Sequence, residues 1–146
     1  MRVLIACGGT GGHINPGLAI ADIIKSKYPD TEFLFAGTPK GMEAKLVPAA
    51  GYRFETIKVA GFQRRISLEN IGRNAKAVAY LITSGRRAKQ IIEGFKPDIA
   101  IGTGGYAAGP VIRKAARMGI PTAIHEQNAY PGVTNKLLSK EVDHVM

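Results

Sequence analysis

Apolar positions along this chain come in short blocks, and between the blocks they recur at helical spacing. Arg2-Val3-Leu4-Ile5-Ala6-Cys7 is an apolar run bounded by glycines, the pattern of a strand buried on both faces. Residues 16–28 predict a helix: Pro16 suits a first turn, and Leu18, Ile20, Ile23 and Ile24 supply an apolar face. Thr31 to Ala36 reads as a second strand, residues 41–50 as a short helix and Tyr52 to Val59 as a third strand. Leu68, Ile71, Ala75, Val78 and Ile82 then recur at spacings of three and four, an amphipathic stripe. Gly85 is expected to interrupt it before a second helix over 86–94. A fourth strand from Pro97 to Ile101, a helix over 107–118, a fifth strand from Ile120 to Ile124, a short helix over 132–140 and the start of a sixth strand from Val142 complete the series.

Strands that alternate with helices imply parallel βαβ units, here a Rossmann-like, doubly wound parallel sheet forming one α/β domain over 1–146. No low-complexity tract or linker divides it. The chain stops inside an apolar run, Asp143-His144-Val145-Met146, as a fragment of a longer protein would.

An approximate internal repeat sharpens this picture. VLIACGGTGGHINPG at 3–17 resembles DIAIGTGGYAAGPV at 98–111: each passes from an apolar strand through a Thr-Gly-Gly core into a helix. A third strand-to-helix junction, HEQNAYPG at 125–132, is rich in polar side chains. In an open parallel sheet ligands bind beyond the carboxyl ends of the strands, near the point where strand order reverses, so all three junctions are expected on one functional edge.

Glycine lets backbone N–H groups approach a ligand closely, and a helix N-terminus favours an anion or a polar oxygen. Gly8 to Gly12 is therefore either a sugar or phosphate cradle or a tight strand-to-helix turn; the second, matched loop favours the cradle. Familiar nucleotide motifs do not fit. A dinucleotide fingerprint starting at Gly9 needs glycine where Ile14 stands, and no Gly-Lys-Ser/Thr triplet makes a P-loop. HEQNA begins like a zinc helix, but Ala129 takes the place of the second histidine. With one cysteine and three scattered histidines, no metal site and no cofactor are expected. His13 directly follows the cradle, so its imidazole is a candidate general base, with a solvent-exposed helix residue as the plain alternative. His125-Glu126-Gln127-Asn128 is either a polar turn or a place where hydroxyls or an amide are recognised.

GGTGGHINPGLAIA at 8–21, IGTGGYAAGP at 101–110 and HEQNAYPGVTNKLLSK at 125–140, in that order and spacing, resemble the MurG family along essentially the whole chain. The resemblance implies the N-terminal, acceptor-side domain of an inverting glycosyltransferase of the GT-B fold. The family moves N-acetylglucosamine from UDP-GlcNAc to the C4 hydroxyl of the muramoyl sugar of lipid I. The product, lipid II, is the peptidoglycan precursor; the reaction takes place on the cytoplasmic face of the cell membrane and needs no metal in the bond-forming site. The family's C-terminal domain, which carries most of the donor contacts, has no counterpart here, so stand-alone activity is not expected. By the same resemblance Thr10, Gly11, Gly12 and Asn128 contact the donor sugar side, and His13 is the base. Gly104, Gly105 and Tyr106 hold the acceptor diphosphate, and Glu126 and Asn135 line the acceptor side.

The charge finds a place in this reading. The formal net charge is +9, from 20 Lys and Arg against 11 Asp and Glu, which points to an anionic partner. Arg64, Arg65, Arg73, Lys76, Arg86 and Arg87 cluster beside Phe62, Ile66 and Leu68, which suits an anionic membrane surface; a solvated helix face is the alternative. No apolar run is long enough to span a bilayer, and the single cysteine, Cys7, fits a reducing compartment. Nucleic acid is not an expected partner, because aromatics are only 7% and no RNA-binding aromatic signature is present. Two other readings stay open on the residues alone: a UDP-GlcNAc epimerase-like domain, and a non-catalytic module that docks on a membrane or a partner.

Overall fold

A computed structural model describes residues 1–59 and 83–146. Six strands form one parallel sheet: β1 (Arg2–Ala6), β2 (Glu32–Gly37), β3 (Arg53–Thr56), β4 (Ile99–Gly102), β5 (Thr122–Ile124) and β6 (His144–Val145). They lie in the order β3-β2-β1-β4-β5-β6, the doubly wound arrangement expected from the alternation. The chain order reverses between β1 and β4, whose register pairs Val3 with Ile99 and Ala6 with Gly102.

Each central strand serves both faces. Val3, Ile5 and Cys7 point to one side and pack with Ile14, Ala21 and Val47 of helices α1 (Gly11–Lys27) and α2 (Glu43–Ala49). Leu4 and Ala6 point to the other side and pack with Ile91, Ile92, Val111 and Ile112. These come from helix α3, described over 83–95, and α4 (Ala108–Arg117). A short α5 (Val133–Leu138) follows β5. Strands buried on two faces need continuous apolar runs, which is why VLIAC carries no polar residue. Burial pushes the Cys7 thiol up to about 12, with the Glu43 carboxylate adding to the shift, so it is a packed side chain and not a nucleophile.

Two expectations need correction. The first helix starts at Gly11, not Pro16, so Pro16 sits inside it and the turn after β1 is shorter than the glycine run suggested. Its fully buried positions are Ile14, Gly17 and Ala21; of the expected apolar face, Leu18, Ile20 and Ile24 pack partly buried beside them, and only Ile23 is exposed, at 57%. The small residues bring the helix close: a methyl on Gly17 would lie 3.3 Å from both Ile5 and Thr103. Gly85 does not break a helix; it lies within α3. The expected stripe from Leu68 to Ile82 lies outside the described residues, as do Arg64, Arg65, Arg73 and Lys76.

Candidate active site

The three junctions singled out in the sequence meet at the carboxyl ends of β1, β4 and β5, which are neighbours in the sheet. Ladder hydrogen bonds continue into them: Thr103 N–H donates to the Ala6 carbonyl at 3.0 Å and His125 N–H to the Gly102 carbonyl at 2.8 Å.

The first junction, Gly8 to Gly12, runs directly into α1. Thr10 is the helix N-cap in an extended conformation, and its carbonyl accepts from His13 N–H at 3.0 Å. Its side chain makes no capping hydrogen bond, and no acidic residue stands in the first turn. The leading N–H groups of a 17-residue helix thus face outward beside the exposed Thr10 and Gly12, an arrangement that favours an anion or a sugar oxygen.

What holds this loop is a buried carboxylate that the sequence reading overlooked. Glu43, in the first turn of α2, has no exposed surface. One oxygen accepts from Thr38 N–H at 2.8 Å and Thr38 Oγ1 at 2.7 Å; the other accepts from Gly9 N–H at 3.1 Å. Methyl groups on Gly8, Gly37 or Gly41 would each collide with Glu43, so these three glycines form its socket. Burial raises the Glu43 pKa, but hydrogen bonds from the Thr38 side chain and from the backbone of Glu43, Thr38 and Gly9 outweigh it and hold the group below the usual carboxylate range. The available signal was positional: Glu43 and Val47 are one helical turn apart, and Val47 is core.

The second junction packs directly on the first. Thr103 Oγ1 donates to the His13 carbonyl at 2.7 Å, and His13 Nδ1 lies 3.2 Å from the Thr103 carbonyl. Gly104 and Gly105 have φ values of +105° and +84°, in the left-handed region. A methyl on Gly104 would strike the His13 ring, and one on Gly105 would strike the Gly8 carbonyl. The second glycine pair therefore lets the two loops touch backbone to backbone. Tyr106, next in sequence, is 65% exposed.

The third junction contributes Gln127, whose amide nitrogen lies 2.6 Å from His13 Nδ1. Glu126 organises the rest. One oxygen accepts from the backbone and side-chain nitrogens of Asn128 at 3.0 and 2.8 Å; the other accepts from Gly132 N–H at 2.9 Å and Asn135 Nδ2 at 3.0 Å. Burial raises its pKa, and these four hydrogen bonds lower it further than burial raises it. Asn135 is buried and also donates to the His125 carbonyl, while Asn128 is exposed.

The chain matches the profile of the glycosyltransferase family 28 N-terminal domain over residues 3–146. It belongs to that family. It is 55% identical over 99% of its length to a UDP-N-acetylglucosamine--N-acetylmuramyl-(pentapeptide) pyrophosphoryl-undecaprenol N-acetylglucosamine transferase from Acetivibrio thermocellus, covering 38% of that protein. Identity to the protein of the same name from Limosilactobacillus fermentum is 49%, again over 99% of this chain and 38% of the relative. The fold is similar to the crystal structure of Acinetobacter baumannii MurG, with a TM-score of 0.82 at 31% identity over 99% of this chain and 40% of that one. The Streptomyces glycosyltransferase SsfS6, at 19% identity and a TM-score of 0.64, shares the fold alone. The fold is thus the Rossmann-like domain of GT-B glycosyltransferases, as the sequence led us to expect. The chain spans about two fifths of the length of these relatives.

Of the family-derived site residues, Thr10, Gly11, Gly12, His13, Gly104 and Gly105 are brought together at the switch point. Glu126 and Asn135 are tied to each other, and Asn128 is held by Glu126. Of the basic set, two residues lie among those described: Arg86 is exposed, whereas Arg87 pairs with Glu55 at 2.5 Å and donates to the Thr56 carbonyl. Among the described residues no helix is long and apolar enough to cross a membrane. No three metal-ligating side chains are grouped there either.

Proposed function

We propose that this chain is the N-terminal, acceptor-side domain of an inverting N-acetylglucosaminyltransferase. The full protein transfers N-acetylglucosamine from UDP-GlcNAc to the muramoyl C4 hydroxyl of lipid I to make lipid II for peptidoglycan. The observation that carries this reading is the convergence of both glycine loops and the HEQN junction on one imidazole, His13, next to an uncapped helix N-terminus. The names of the relatives support the choice of substrates. In this scheme the hydroxyl oxygen attacks the anomeric carbon as its proton passes to His13. The bond to the diphosphate breaks on the opposite face, and UDP leaves with the electron pair. The N–H groups of Gly11 and Gly12 position the donor sugar, with Asn128 at its edge. The loop of Gly104, Gly105 and Tyr106 receives the acceptor diphosphate beside Glu126 and Asn135. Most donor contacts belong to a C-terminal domain outside this chain, which would leave the domain inactive alone.

The protein would work as a peripheral protein on the cytoplasmic face of the bacterial cell membrane. The basic set Arg64, Arg65, Arg73, Lys76, Arg86 and Arg87 would meet anionic lipid there at about 1 kcal/mol per close cation. Arg87 has to release Glu55 to take part.

Titration of the isotopically labelled chain with a short-chain, soluble lipid I analogue tests the acceptor assignment. Saturable shifts are expected at the amides of Gly11, Gly12, Gly104, Gly105 and Tyr106. Shifts confined to the α1 loop, or none at all, would overturn the assignment of the second loop to the acceptor.

A further inference from the structure

His13 is half-buried, and among the described residues every hydrogen-bond partner of its ring lies at Nδ1. Two groups meet at that nitrogen. The Thr103 carbonyl, 3.2 Å away, can only accept a hydrogen bond. The Gln127 side-chain amide lies 2.6 Å away with its nitrogen toward the ring, and its Oε1 is buried with no hydrogen-bond partner. In that orientation Nδ1 must be the bare nitrogen. It then faces the Thr103 carbonyl lone pair to lone pair, while a buried amide oxygen stays unmatched; both are costly. A half-turn of the amide, which moves no other atom, exchanges the two ends. Nδ1–H then donates to Gln127 Oε1 and to the Thr103 carbonyl, which removes the lone-pair opposition and gives the amide oxygen a donor, while the NH2 group takes the buried position the oxygen left.

We propose that Gln127, together with the Thr103 carbonyl, is a positioning residue that locks His13 as the Nδ1–H tautomer and leaves Nε2 as the bare nitrogen. This rests on the reading of His13 as the base. Nε2 makes no hydrogen bond among the described residues, and Gly104 closes off the Nδ1 and Cε1 side of the ring. A proton from an attacking hydroxyl would enter at Nε2, and the resulting imidazolium would keep its Nδ1–H on two oxygens already in place. Neutral glutamine also avoids the Coulombic pull of a carboxylate, which would favour the charged ring before substrate arrives.

The test is direct because the chain has three histidines. Two-bond proton–nitrogen correlation spectra of the 15N-labelled chain, recorded at alkaline pH and assigned with His13→Gln, distinguish a pyrrole-type from a pyridine-type nitrogen. The expected result for His13 is pyrrole-type Nδ1 and pyridine-type Nε2. The reverse pattern overturns the proposal without any variant. Gln127→Ala should move the two signals toward each other as the tautomers mix, and Gln127→Glu should keep the parent pattern. An unchanged pattern in a folded Gln127→Ala would assign the tautomer to Thr103 alone and overturn the role of Gln127. In a complete transferase carrying this domain, Gln127→Ala should lower kcat about 10- to 100-fold with donor KM little changed. The two readings fail separately. If Nδ1–H is found and depends on Gln127 but His13→Ala keeps full turnover, the base reading falls and the positioning stands. If Nε2–H is found while His13→Ala abolishes turnover, the reverse holds.

Discussion

Replacing Glu43 with glutamine keeps the shape of its socket and converts one acceptor oxygen into a donor. The glutamine oxygen can keep both Thr38 donors, at 2.8 and 2.7 Å in the parent. The NH2 group must then face Gly9 N–H, which the parent satisfies at 3.1 Å. One charge-assisted hydrogen bond is lost, a buried N–H is orphaned, and the two surviving bonds become neutral ones; together this costs about 2–3 kcal/mol. That is a large share of the roughly 5–15 kcal/mol that holds a domain together. For a chain of this size it lowers Tm by about 5–10 °C. Glu43→Ala removes all three bonds and leaves a void, for about 4–5 kcal/mol. The acid dependence has a definite sign. The folded pKa lies below the ordinary 4.5, so the charge contributes stability in full above that value, and the contribution is lost as pH falls through the folded pKa. The Tm gap between parent and Glu43→Gln should therefore be constant near neutrality and close below about pH 4.5. Thermal unfolding followed by circular dichroism across that range measures both effects, and the amide resonances of Gly9 and Thr38 report the local change. A Tm within about 1 °C of the parent at neutral pH, or a gap that persists in acid, would refute the assignment of Glu43 as the anchor of the first glycine loop.

The two glycine loops make a second prediction. Gly105→Ala combines left-handed strain with a collision against the backbone of Gly8, whereas a methyl on Gly9, at φ +92°, meets nothing within 4 Å. Gly9→Ala should cost about 1–2 kcal/mol and Gly105→Ala at least about twice that; equal urea midpoints for the two variants would contradict the close loop contact. In a complete transferase, His13→Ala should lower kcat by about 10²- to 10⁴-fold with donor affinity nearly unchanged, and equal turnover in variant and parent would remove His13 as the base.

The alternation of strands and helices, the doubly wound parallel sheet and the meeting of the three junctions at one edge were legible, because runs such as VLIAC and TEFLFA declare two-sided burial and because βαβ handedness leaves few ways to connect them. The start of α1 was misjudged because proline is usually read as a first-turn residue. Here Pro16 stands in the helix's second turn, where its missing N–H deprives only the Gly12 carbonyl of a partner, at the open end of the helix. The glycines were read as ligand contacts. Several of them also make room inside the protein: Gly8, Gly37 and Gly41 for Glu43, Gly104 for His13, and Gly105 for Gly8. That second role depends on which loops become neighbours, which no local pattern reveals. Glu43 was hidden for a related reason, since a carboxylate in the first turn of a short helix looks like an ordinary solvated charge. The HEQN junction stood out as either a polar turn or a recognition site, but its division of labour was not legible. Glu126 builds the turn, while Gln127 alone reaches His13.

The partners of His13 lie far from it along the chain: Thr103 is 90 residues away and Gln127 is 114. Contacts of such separation carry a larger loop-closure entropy cost than local ones. The imidazole environment is therefore complete only when β1, β4 and β5 are all in place, and a piece that ends before residue 127 lacks it. Any ligand that bridges the two glycine loops would also resist unfolding of the whole sheet, stabilising the domain in proportion to the logarithm of its concentration over Kd. For this chain a thermal-shift measurement is thus a binding assay, and occupancy of the site and integrity of the fold report on one another.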